Sequence, residues 1–278
     1  MQFLSKKYDN QLLLVYNQNL HDIPELSNSH ESDKYIKAMK HIRSKPNNSY
    51  RNMYTLKKLI FPPIAEDKID RLMIDNESIK LITYASSAQE ITNIIMNNLI
   101  DFPCPAHIQS NETRWTSMHL AEKMRHLVIS DMTAGVGGNV LNFASNFKYV
   151  NAVEIDSIRY NYLNKNVKLY NFVNVNCYNA DSYNLLVEQD IISQDIVFFD
   201  PPWGGINYKT FSSLRLYFGI HTIENVCKKI LAKTNTKMII IKLPKNYEME
   251  YMKQELKEYR FCQIVLERMI IVVIKNYN

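Results

Sequence analysis

From about residue 127 onward, short apolar runs alternate with helix-spaced segments, and each of the first four runs leads into an acid: Asp131, Glu154, Asp181 and Asp200. The runs are 127–130, 149–153, 173–178 and 195–199, and a fifth, 237–242, is closed by Leu243-Pro244. Between them, 139–147, 157–170, 222–233 and 247–258 carry apolar residues at helical spacing, with Ser157 read as the N-cap of the second. Strands that alternate with helices predict a parallel sheet covered on both faces, an α/β doubly wound architecture. Two further runs, 261–266 and 269–275, are joined too tightly for a crossover, so they predict a C-terminal antiparallel hairpin.

The first hundred residues read differently. Helical spacing appears at 33–42, 54–61 and 88–100, strand-like runs at 12–16 and 79–84, and polar breaks separate them. We therefore divide the 278 residues into a mainly helical N-terminal accessory domain, 1–110, and an α/β domain, 111–278.

Composition excludes several classes. No apolar stretch reaches the about eighteen residues a membrane span requires, and the amino terminus lacks the pattern of a secretory signal. The four cysteines and seven histidines show no metal-ligand or disulfide spacing, so no metal is expected, and the thiols suit a reduced, cytoplasmic or nuclear setting. A net charge of +5 is compatible with RNA but does not by itself demand it.

Glycine and tryptophan mark the site. Of six glycines, three fall in Asp131-Met-Thr-Ala-Gly-Val-Gly-Gly-Asn139 and two in Asp200-Pro-Pro-Trp-Gly-Gly205, which also holds one of the two tryptophans. The first motif occupies the first strand-to-helix turn, at the sheet edge where open α/β folds bind ligands. Its spacing does not complete the glycine pattern of pyrophosphate binders. Gly135 and Gly137 let the backbone pass close to a nucleoside-sized ligand, and Asp131 suits the cationic end of S-adenosylmethionine. Glu154 suits the ribose hydroxyls, with Asp156 as the competing residue, and Asp181 suits the adenine amine. A tight loop without a ligand and solvated strand-end acids are the alternatives.

Asp200-Pro-Pro-Trp203 is the strongest signal. The lone pair of an exocyclic base amine is delocalised into the ring. If Asp200 and the rigid carbonyl of Pro201 accept its two hydrogens, the nitrogen pyramidalises and its lone pair becomes available. Consecutive prolines hold that carbonyl in place, and Trp203 offers a stacking surface worth about 1–3 kcal/mol per base. A Pro-Pro turn with a buried indole is the alternative.

These motifs resemble those of the trimethylguanosine synthase family of RNA cap guanine-N2 methyltransferases, over roughly residues 112–278. Gly135-Val-Gly-Gly-Asn139, Pro201-Pro-Trp-Gly-Gly205, Tyr208 and Leu243-Pro-Lys-Asn246 carry the likeness, as do Thr116 and Leu120-Ala-Glu122 before the first strand. The resemblance implies a Rossmann-like class I methyltransferase sheet, S-adenosyl-L-methionine as cofactor and 7-methylguanosine-capped RNA as partner. It implies cofactor contacts from Thr116, Asp131 and Glu154, and stacking of Trp203 on the base. It further implies that Lys245 and Tyr208 hold phosphates and that Asn166 lies near the base. Trp115 lies beside the cofactor-covering segment, and a core role suits it equally.

Rival readings are an adenine-N6 methyltransferase, a guanine-N2 enzyme acting on other RNA, and a catalytically silent RNA-binding subunit. The Gly-Gly-x-x-Tyr continuation favours the cap reading over the first. The intact Asp200-Pro-Pro-Trp203 and Glu154 disfavour the last.

Overall fold

The computed structural model describes residues 49–105, 112–189 and 192–277. The helix expected at 33–42 and the strand expected at 12–16 lie outside these described residues.

Seven strands form one sheet: β1 (Val128–Asp131), β2 (Tyr149–Glu154), β3 (Val175–Asn179), β4 (Ile196–Phe199), β7 (Met238–Leu243), β8 (Arg260–Val265) and β9 (Ile270–Lys275). Their order is β3-β2-β1-β4-β7-β9-β8. Pairings among the first five are parallel, whereas β9 inserts antiparallel between β7 and β8. A separate two-stranded ribbon pairs β5 (Tyr217–Phe218) with β6 (His221–Thr222). The expected doubly wound sheet with its antiparallel C-terminal pair is present.

Burial explains the strand sequences. All six residues of β7, and all six of β9, are buried. Continuous runs of β-branched residues suit central strands covered on both faces. Alternate residues supply opposite layers: Met238 and Ile240 join one core, Ile239 and Ile241 the other. Each such side chain contributes about 2 kcal/mol relative to exposure.

Helices cover the two faces. On the first lie α1 (Ser49–Ile60), α4 (Ala85–Asn97), α6 (Leu120–Met124), α7 (Val140–Ala144) and α8 (Ser157–Leu169). The second carries α9 (Ile223–Lys233), α10 (Met249–Glu255) and a π-helical turn, Asn184–Glu188. Three short helices, α2 (Glu66–Ile69), α3 (Ser78–Leu81) and α5 (Glu112–Ser117), complete the N-terminal portion. Leu56, Ile60, Ile91 and Ile95 of that portion pack in the same core as Phe143, Phe198 and Ile240.

Two local expectations are corrected. The run 79–84 forms no strand. Instead Asp75 Oδ1 accepts the N–H groups of Glu77 and Ser78 at 2.9 and 2.8 Å, starting the turn that becomes α3. Likewise, Asp156, not Ser157, caps α8: its Oδ1 accepts from the N–H groups of Ile158 and Arg159, each at 2.9 Å. A carboxyl oxygen one position earlier reaches two of the orphan donors of the first turn. Trp115 takes the core role, with 3% exposure and its Nε1–H donated to the Phe102 carbonyl at 2.7 Å.

Candidate active site

The carboxyl ends of β1, β2, β4 and β7 converge, and that is where the sequence concentrates its polar residues. Asp131 closes β1 with no exposed surface. Its Oδ1 accepts the Thr133 N–H at 3.0 Å, while Oδ2 is buried with no partner among the described residues. Burial, reinforced by the Asp200 and Glu154 carboxylates, pushes the Asp131 carboxyl up to about 8; the Thr133 N–H and Lys242 act in the opposite direction.

Glu154 ends β2 and clasps the glycine turn. Its Oε2 accepts the Gly135 N–H at 2.8 Å and its Oε1 the Asp156 N–H at 2.9 Å. Burial raises its pKa against those two hydrogen bonds. Gly135 has φ 54°, and a Cβ there would meet nothing within 4 Å, so this turn presents open backbone. Gly138 is different. A Cβ there would lie 2.7 Å from Ile82 Cγ1 and 2.8 Å from the Thr83 carbonyl oxygen. This glycine therefore makes room for the chain between α3 and α4.

The second motif follows β4. The Asp200 N–H donates to Thr133 Oγ1 at 2.7 Å, which joins it to the first turn. Asp200 Oδ2 accepts from Lys242 Nζ at 2.6 Å and from Thr83 Oγ1 at 3.1 Å. Pro201 is buried, and its carbonyl accepts no backbone hydrogen bond from the described residues. The Trp203 indole is half-buried, packs against both cores and meets the Tyr208 ring edge-on at 5.1 Å. Its Nε1 is buried without a partner among the described residues.

Beyond the indole, Asn246 Nδ2 donates to the carbonyls of Tyr208 and Phe211, both at 2.8 Å, so the loop carrying exposed Lys245 is tied to the Tyr208 turn. Burial raises the Tyr208 hydroxyl, and Arg268 opposes this. Asp181 is exposed after β3, its Oδ1 accepting the Asn184 N–H at 2.9 Å. Thr116 is exposed on α5.

Asn166 is not brought to this cleft. It has no exposed surface; its amide accepts from the Met73 N–H and donates to the carbonyls of Met73 and Val136. This enclosed amide, with both of its hydrogens donated, fastens the glycine turn to the N-terminal portion and has no donor left for a base.

Four residues at the site escaped sequence reading as functional: Thr83, Thr133, Asn139 and Lys242. Lys242 carries a usable signal, because a lysine inside the apolar run Met238–Leu243 needs an anionic partner once buried. Thr83 has no such signal, since nothing local records that its loop crosses the sheet edge.

Comparison with known proteins gives this arrangement its context. Residues 126–272 match the family described as RNA cap guanine-N2 methyltransferase. A protein of Acanthamoeba polyphaga mimivirus is 57% identical over 226 residues, covering 81% of this chain and 88% of its own length. This chain belongs to the RNA cap guanine-N2 methyltransferase family. Among solved structures, a T. thermophilus 16S rRNA N2 methyltransferase in complex with AdoMet and guanosine shares 14% identity at TM-score 0.49, covering 74% of this chain and 44% of its own. Thermus thermophilus TrmN shares 14% identity at TM-score 0.47, covering 70% of this chain and 49% of its own.

As a member of that family, the methyltransferase uses S-adenosylmethionine and acts on nucleic acid. Its residues fit the cofactor. Asp131 Oδ2 is a fully buried carboxylate oxygen without a donor among the described residues, and the same motif holds a second partnerless buried acceptor, Asn139 Oδ1. Buried acceptors left this way call for a cationic or hydrogen-bearing ligand group. No helix among the described residues of this methyltransferase is long and apolar enough to cross a membrane.

Proposed function

We propose that this methyltransferase methylates the exocyclic 2-amino group of 7-methylguanosine in RNA caps. The observation that carries the reading is the placement of Asp200, the Pro201 carbonyl and the Trp203 indole at the end of β4, joined through Thr133 to the turn that follows Asp131.

When bound, S-adenosylmethionine supplies an electrophilic methyl group on a sulfonium. Asp131 receives its ammonium group and Glu154 its ribose hydroxyls. Gly135 keeps the turn clear of a side chain, whereas at Gly137 a Cβ would meet Leu163 Cδ1 at 3.2 Å, so that glycine serves packing beneath the turn. Asp181 accepts from the adenine amine, and Thr116 covers the site. At the acceptor side, Asp200 and the Pro201 carbonyl take the two hydrogens of the base amine, which frees its lone pair. Trp203 stacks on the base, and the indole face attracts a cationic 7-methylguanine by about 1–2 kcal/mol where water is excluded. Tyr208 and Lys245, which Asn246 holds on adjoining loops, take the cap phosphates. Positioning of this kind needs no covalent intermediate.

A guanine-N2 enzyme acting on uncapped RNA is the second reading, and one observation favours it. Lys242 Nζ lies 5.2 Å from the Trp203 ring centroid, and a positive charge there weakens the pull of the indole on a cationic base. A substrate panel separates the two. Purified protein is expected to transfer methyl to 7-methylguanosine cap analogues and not to unmethylated guanosine caps or uncapped RNA, with mass analysis counting methyls per guanine. Equal transfer to methylated and unmethylated caps removes the cationic-stacking argument.

A further inference from the structure

The Asp200 carboxylate is gripped by two side chains that come from distant parts of the sequence. Lys242 Nζ donates to its Oδ2 at 2.6 Å and Thr83 Oγ1 to the same oxygen at 3.1 Å. Lys242 Nζ also donates to Thr83 Oγ1 at 2.9 Å, and Asn139 Nδ2 donates to it at 3.2 Å. The Thr83 hydroxyl thus gives one hydrogen and accepts two, which completes its capacity. Among the described residues, Asp200 Oδ1 accepts no hydrogen bond.

Backbone geometry supports the same cluster independently. Phe199 of β4 pairs in register with Ile241 of β7, so Asp200, just past the end of β4, lies beside Lys242, which is still within β7 and paired with Ile271 of β9. On the other side, Gly138 lacks a side chain where the Ile82–Thr83 backbone passes. Any Cβ at that position would push Thr83 away from the acid. Asn139, the next residue, holds Thr83 from the turn.

We infer that Lys242 and Thr83 are positioning residues for methyl transfer: they fix the Asp200 carboxylate through Oδ2 and leave Oδ1 to receive the base amine. A carboxylate torsion is broad when unrestrained, so an ungripped Asp200 spreads over many orientations. Two donors on one oxygen select one of them. The acceptor site is therefore completed by Thr83, which lies outside the family-matched residues 126–272. This inference rests on the reading that Asp200 receives a base amine, whichever base it is.

The test uses the full-length protein and whichever base amine the wild type methylates in a panel of 7-methylguanosine caps, unmethylated caps, guanosine-containing RNA and adenosine-containing RNA. Thr83→Val keeps the shape and removes the hydroxyl; it is expected to lower kcat about tenfold or more. Thr83→Ser restores the hydroxyl and is expected to recover kcat to within about threefold of wild type. Lys242→Met is expected to lower kcat further than Thr83→Val. In both Thr83 variants, calorimetric affinity for S-adenosylmethionine and KM for the cofactor are expected to stay within about twofold. Wild-type kcat in both Thr83→Val and Lys242→Met overturns the inference and leaves the functional reading intact. A kcat loss matched by an equal loss of cofactor affinity, with no recovery in Thr83→Ser, assigns the cluster to folding alone and also overturns it. Absence of transfer by the wild type to every member of the panel overturns the reading and the inference together.

Discussion

Thr133 Oγ1 accepts the Asp200 N–H at 2.7 Å, so one hydroxyl joins the turn after β1 to the motif after β4. The residues proposed for the cofactor and those proposed for the acceptor therefore share a common anchor. Thr133→Val deletes that acceptor and leaves a partly buried N–H unmatched, at a cost of about 1–3 kcal/mol. The expected outcome is lower stability in urea together with a lower kcat, and Thr133→Ser should restore both. Unchanged kcat in Thr133→Val would show that the two halves of the site are held together by other contacts.

With Asp131 in its proposed role at the cofactor's ammonium group, cofactor binding depends on pH. Its carboxyl is pushed up to about 8, so it is largely protonated at neutral pH in the cofactor-free protein, and pairing with an ammonium group requires the proton to leave. Affinity for S-adenosylmethionine should rise as pH increases from about 6 to 7.5, by nearly tenfold per unit. Asp131→Asn should bind weakly with a flat profile. Titration calorimetry in buffers of different ionisation enthalpy checks the proton release directly.

The same shift has an opposite sign for folding. A carboxyl at about 3.9 in the unfolded chain and raised in the native state stabilises the fold least above the native value. Stability that is present near pH 4 is lost as pH rises through about 8. Asp131→Asn should therefore raise the melting temperature of the cofactor-free protein at pH 8 and change it little at pH 4. A lower melting temperature at pH 8 would place the Asp131 charge in a more favourable setting than its burial indicates.

Trp203→Ala removes the stacking surface but none of the groups assigned to the cofactor. Transfer should fall by at least about a hundredfold while S-adenosylmethionine affinity changes little. Parallel loss of cofactor affinity would move the indole to the cofactor side.

Gly138→Ala and Gly135→Ala should separate two uses of glycine. At Gly138 the added methyl meets the Thr83 backbone, which cannot swing aside, and the expected cost is about 1–3 kcal/mol with a loss of transfer. At Gly135 there is room for the methyl, and the cost is the left-handed backbone alone, about 1–2 kcal/mol. Thermal denaturation and kcat of the two variants should diverge, with transfer suffering more in Gly138→Ala.

Strands were legible because burial on both faces leaves a direct record: runs such as Met238–Leu243 and Ile270–Lys275 contain little but β-branched and apolar side chains. The Asp200-Pro-Pro-Trp203 turn was legible because prolines and tryptophan there have few purely structural uses. Short N-terminal elements were not. Ile79–Tyr84 has strand composition, yet the Asp75 carboxylate four residues upstream starts a helical turn there. Contacts between remote segments were also hidden. Asn166 reads as an ordinary helical residue until Met73 and Val136 are seen to enclose it, and Thr83 reads as a loop hydroxyl until Asp200 and Lys242 close on it.

Thr83 stands 117 residues before Asp200 and 159 before Lys242. Contacts that close loops of such length are among the slowest to form when a chain refolds. Individual helices can return early, and β1 can pair with β2 while the hydroxyl is still remote from the acid. Catalytic competence is thus expected late on the folding path, and activity regained after dilution from denaturant should lag behind a recovered helical spectrum.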